Sequence, residues 1–249
     1  MINYIKSEHY RLLRKKGLYV TSVIGLALIV AAAAVLYFTQ NADPDFPYGT
    51  SLFFYSNVIG SGLLLMIIGL LFNLTLTGKD TAIVKQSISF GVSRNTIFWS
   101  KLMLTFIYFL LICVMGLALT IVLGERLLIS EDQSVMNFLI ASLNMVPIVV
   151  SGFFLIHVLK MLKVGDVYIL IMLLFLFLFS GDLVRILFQS ISGMNELYTF
   201  APSTLLNENL MSFMAQDVQS EYRPWLTGIV MSVIVLLIGS RRFAKQEIH

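Results

Sequence analysis

The sequence predicts an all-α, polytopic membrane protein with six transmembrane helices, on three observations. Apolar residues make up 58% of the 249 and charged residues only 12%, too little polar surface to cover a water-soluble globule of this size. The mean hydropathy is +0.87. Six apolar runs, near residues 19–39, 53–76, 97–123, 135–159, 167–188 and 225–240, approach the length that crosses a hydrocarbon core of about 30 Å at about 1.5 Å per helical residue. The whole chain, 1–249, reads as a single transmembrane domain.

The leader comes first. On a helical wheel Ile2, Ile5, His9, Leu12 and Leu13 share one arc, and Lys6, Ser7, Arg11, Arg14 and Lys15 the other. Residues 1–17 therefore read as an amphipathic interfacial helix on the inner membrane surface, with His9 snorkelling from its apolar arc. The plainer reading is a basic leader that only sets topology. The small residues 31–34 invite comparison with a cleaved signal, but the span-length apolar run and the five runs after it favour an uncleaved first span.

Between the second and third runs lies a polar segment, 79–91. Asp80 or Thr81 can cap a helix, Ile83, Val84, Ser87 and Ile88 share a face, Lys85 and Gln86 lie off it, and Gly91 is a natural stop. Ser93 can cap the next helix, which carries Arg94 and Lys101 before the membrane. Such a short helix suits either a knob in a partner's groove or a helix on lipid headgroups, and periodicity does not separate the two.

The fifth run holds Asp182 and Arg185 after Ser180 and Gly181; three residues apart, they share a face and are placed to neutralise each other. Such a pair is a packing clasp, a dimer contact or part of a pathway. The 189–224 loop then contains a helix starting at Pro202 and Ser203. In it Leu206, Leu210, Phe213 and Met214 recur at helical spacing, while Thr204, Asn207 and Asn209 are expected to point elsewhere. Its apolar periodicity argues against disorder, and the competing reading is a helix resting on the outer headgroups.

Six spans put both termini on one side, with the loops at 79–101 and 160–166. That side holds all Lys and Arg residues except Arg126, Arg185 and Arg223, so both termini are expected in the cytoplasm. The basic pI near 8.9 then reports topology and attraction to anionic lipid, not nucleic-acid binding. Cys113, the single cysteine, allows no internal disulfide and reads as a packing residue.

Chemistry-bearing motifs are sparse. Residues 77–81 contain Gly78-Lys79, but Asn73 stands where a phosphate-binding loop needs its first glycine and Asp80 where it needs Ser or Thr. There is no His-Glu-x-x-His and no Gly-x-Ser-x-Gly, and His9, His157 and His249 are far apart in sequence. The chain reads as no enzyme, and an ATP site would have to come from another polypeptide.

With the basic leader, the six runs, the wide outer loop and the "FGVSRNTIFWSK" stretch at 90–101, the chain resembles the permease subunits of ABC-2-type transporters. Members of similar layout include exporters of phenol-soluble-modulin-like peptides and bacitracin or lantibiotic immunity permeases. The resemblance implies that 79–91 is a coupling helix contacting a cytoplasmic ATPase dimer through Ile83, Val84, Ser87, Ile88, Phe90 and Arg94, and that Ile5, His9, Leu12 and Leu13 line the interfacial helix. It implies an outer gate at Leu206, Leu210 and Phe213, a second permease copy, ATP and Mg held by the ATPase and no cofactor in this chain. It further implies a bacterial plasma membrane and export of amphipathic or hydrophobic peptides. Two rivals stand beside it. A substrate-capture subunit of a vitamin uptake system would want a compact polar pocket, and a secondary transporter paired repeats with broken spans and buried carboxylates.

Overall fold

The computed structural model describes residues 2–43, 45–77, 81–189, 191, 194 and 196–246. Lys79, Asp80 and His249 lie outside them. Among the described residues there are eleven α-helices, a short 3-10 helix and no strand, only one isolated bridge between Thr50 and Ile129.

Helix α1 (Ile2–Leu13) is the leader, and α2 (Lys16–Ala42) the first long apolar helix. Helices α3 (Ser51–Gly60) and α4 (Gly62–Thr77) follow, then the short α5 (Thr81–Ser89). Long helices α6 (Arg94–Leu127) and α7 (Ser134–Met161) come next, and then the pair α8 (Asp166–Leu178) and α9 (Ser180–Phe188). The 3-10 turn Leu197–Phe200, α10 (Pro202–Met214) and α11 (Tyr222–Lys245) complete the chain.

Among the described residues four helices, α2, α6, α7 and α11, are long and apolar enough to cross a membrane. The second and fifth runs instead form bent pairs, α3 with α4 at 55° and α8 with α9 at 63°. If each pair counts as one crossing there are six. The first break has a local cause, because the Ser61 hydroxyl and amide both bond the Val58 carbonyl (2.7 and 3.2 Å) between two glycines, which favours a turn over helix.

Helix α7 is the central post. In its most apolar stretch 61% of residues are buried, against 17% in α2, 11% in α6 and 17% in α11, whose apolar outer faces are left for lipid. Helix α11 lies so close to α7 that a Cβ at Gly228 would sit 2.4 Å from the Pro147 carbonyl oxygen. Small residues at a crossing permit such backbone approach. One core cluster (Met66, Phe98, Phe109, Phe153, Ile156, Phe177) fills the bundle's middle and basic end, and a second (Tyr55, Ile59, Phe138, Phe213) the other end, near α10.

Candidate functional sites at the two ends

The basic end gathers α1, α5, the start of α6 and the end of α11. Gly91, at φ +83°, ends α5 with Val92 N–H bonded to the Ser87 carbonyl (3.0 Å), the left-handed stop that only glycine adopts without strain. Ser93 Oγ then accepts the Thr96 amide (3.2 Å) and caps α6, as expected.

The face of α5 differs from the expected one. Val84 is 8% exposed, and Ile88 packs with it on the central core. Ile83, 36% exposed, lies at the edge, and Phe90, 78% exposed, stands outside with Lys85, Gln86 and Ser89. Ser87 is half-buried. The wheel could not tell which of these apolar residues would be claimed by the chain's own core. Arg94, expected at an ATPase contact, donates to the carbonyls of Ala244 (3.0 Å) and Gln246. It thereby satisfies the free end of α11 with a cation, the charge that a helix C-terminus favours.

The leader is docked by a group the wheel passed over. Glu8, 3% exposed, accepts from the Tyr4 hydroxyl (2.9 Å) and Arg11 Nε (3.0 Å), and Lys101 Nζ of α6, 2% exposed as a residue, lies 3.5 Å away. Arg11 and Lys101 make further contacts. Burial, reinforced by the Glu8 charge and hydrogen bond, pushes the Tyr4 hydroxyl's pKa well above the usual range. The inward edge of α1 is therefore Tyr4, Ile5, Glu8 and Leu12. Leu13 is exposed, and His9, though exposed, stacks on Tyr108 at 6.1 Å between ring centroids. Lys15 Nζ donates to the carbonyls of Thr75 and Leu76 (3.1 Å each), closing the end of α4. The signal that could have exposed Glu8 was present: a lone acid in a basic leader, three residues after Ile5 and four before Leu12.

Deeper in, His157 Nδ1–H donates to Asn73 Oδ1 (3.0 Å), whose amide donates to the Gly69 carbonyl, and its ring meets Phe98 edge-on. This is a packed histidine.

At the opposite end α10 is wedged between the two bent pairs. Ser203 Oγ accepts the Gly181 amide (2.7 Å), and the Ser203 amide donates to Ser180 Oγ (3.2 Å), which ties α10 to the second break. Leu210 and Leu206 lie against the first break, 3.4 and 3.5 Å from where side chains at Gly60 and Gly62 would begin. Phe213 is fully buried, edge-on to Phe138. Met214 is exposed and Asn209 buried, the reverse of the expected orientation. Asn209 is buried because it is used: its amide donates to the Ala141 carbonyl (3.0 Å), while Asn144 donates to Gln219 and accepts from the Glu221 amide.

Asp182 and Arg185 do not pair. Both are exposed, and the guanidinium carbon lies 5.7 Å from the Tyr198 ring centroid. Between the ends, a cavity of about 140 Å³ opens among α2, α4, α6 and α7, lined by Gly25, Ile29, Ile68, Phe109, Cys113, Gly116 and Met145 among others. Its wall is almost wholly apolar, so it suits a hydrocarbon group and would exclude a charge.

No family model, curated protein or solved structure matches the chain.

Proposed function

We propose that the chain is the membrane-spanning permease subunit of an ATP-driven exporter in a bacterial plasma membrane, with each bent pair serving as one of six spans and both termini cytoplasmic. Two copies work with two separate ATPase subunits, which hold ATP and Mg. The cargo is an amphipathic or hydrophobic peptide, a class to which the apolar cavity is suited.

One observation carries this reading. Helix α5 connects two membrane helices at the basic end, its inner edge fixed in the core by Val84 and Ile88, while Ile83 and Phe90 project beside the Gly91 stop. An apolar pair on a firmly seated short helix is what a partner's groove would grip.

The test follows from burial. Each large apolar side chain covered by a partner is worth about 1.5–3 kcal/mol, so Ile83→Ala with Phe90→Ala removes about 3 kcal/mol and weakens association about a hundredfold. The double variant should insert normally and lose co-purification of the ATPase and its stimulated hydrolysis. Unchanged hydrolysis and co-purification at normal expression would refute the coupling role of α5.

A further inference from the structure

Helix α9 has two unlike faces. Gly181 is buried and Val184 and Phe188 half-buried, so that edge meets the rest of the chain. The side opposite is apolar and exposed, with Leu183, Ile186 and Leu187. Between the two, along one flank, Asp182 and Arg185 are exposed beside Ile186, with exposed Phe179 just before the helix and Tyr198 near Arg185. The chain's own fold leaves this acid and this base unpaired with each other.

Depth makes that costly. Helix α8 has 13 residues, about 20 Å, so if it starts at the inner edge of a core of about 30 Å, Asp182 lies below the outer edge. Charges there need a partner. The 63° bend determines which partner fits. Copies related by a twofold axis along the membrane normal bring upright helices together in parallel, each residue level with its own copy. A helix turned toward the membrane plane meets its copy antiparallel, and two positions three apart then face each other reciprocally.

We infer that the charged flank of α9 docks a second copy of this chain through two reciprocal Asp182–Arg185 ion pairs, flanked by Phe179 and Ile186. The inference deepens the two-copy part of the proposed function and rests on it. Charge complementarity selects the occupant, because the flank carries one charge of each sign at the spacing its own symmetry copy requires.

Two differently tagged full-length chains test it in membranes. Asp182→Arg gives a copy with two cations on this flank, and Arg185→Asp one with two anions. Each alone should lose self-capture about tenfold, and the two co-expressed should capture each other as well as the unaltered chain does. Recovery in the mixed pair also shows that each variant folds. Undiminished self-capture by either variant overturns the inference. If no combination is captured, the chain with Ile186→Cys and Cys113→Ser, its charges intact, decides: a dimer on treatment with a short bis-maleimide in native membranes supports the interface, and its absence overturns it. ATPase recovered in the same eluates reports the permease reading separately. ATPase without charge-dependent pairing sinks only this interface, whereas charge-dependent pairing without ATPase supports it and counts against the ATPase-coupled reading.

Discussion

Glu8 is the only acid in the leader, and it is almost fully covered. A buried carboxylate survives only with compensating donors, which Tyr4, Arg11 and Lys101 provide from two helices. Removing one partner from such a group costs about 3–5 kcal/mol. Arg11, whose side chain is 24% exposed, can turn to water, which places Glu8→Ala near the lower figure. The purified variant should melt several degrees lower, with α1 becoming susceptible to proteolysis first, whereas Lys6→Ala, on an exposed position, should melt as the unaltered chain does. Equal melting of the two variants would remove the docking role. At this scale, local backbone chemistry was legible in the sequence, since the Gly91 stop and the Ser93 cap depend on neighbours within a few residues. Arg94 and Asn209 were not, because their partners lie on helices far along the chain, and for Glu8 the distant partner, Lys101 of α6, was the part that the leader alone could not show.

For whole helices, the apolar runs announced the four long ones, since a run of span length has few alternatives. The bends were harder to read. Ser180 and Gly181 marked the second, but Gly60, Ser61 and Gly62 sit inside an uninterrupted apolar run, and glycine is common in membrane helices. What α10 does with these bends yields a prediction. Its residues touch both breaks, so displacing α10 requires both Leu206 and Leu210 to leave the first break and Ser203 to release the second. Leu206→Asp or Leu210→Asp puts an unpartnered carboxylate against α3 and α4, which costs several kcal/mol unless α10 moves away. Either change should leave ATPase co-purification intact, because α5 is at the other end, and should uncouple hydrolysis from cargo release. A folded Leu210→Asp variant that exports normally would exclude α10 as the gate.

The arrangement of the whole molecule weighs the rival readings. In transporters built from inverted repeats, broken helices meet near the midplane, around a site they share. Here the short arms α3 and α9 both lie beside α10, and the breaks frame α10 rather than a pocket of charge. That asymmetry favours a machine with distinct ends, one basic and one capped by α10. It also bears on topology. Were the bent pairs re-entrant, α2, α6, α7 and α11 would be the only crossings, and α5, with Lys85 beside Arg94 and Lys101, would lie on the side opposite the leader. In the topology proposed above α3 with α4 crosses, which keeps positive charge on the cytoplasmic side and Lys101 against Glu8 of that same leader. Single cysteines in a Cys113→Ser chain make this measurable. Ser89→Cys, exposed on α5, should react with a membrane-impermeant maleimide only after the cells are opened, and Asp217→Cys, exposed after α10, should react in intact cells. Labelling of both positions from outside would leave the bent pairs as re-entrant loops, and with them would go the cytoplasmic location of α5 on which ATPase coupling depends.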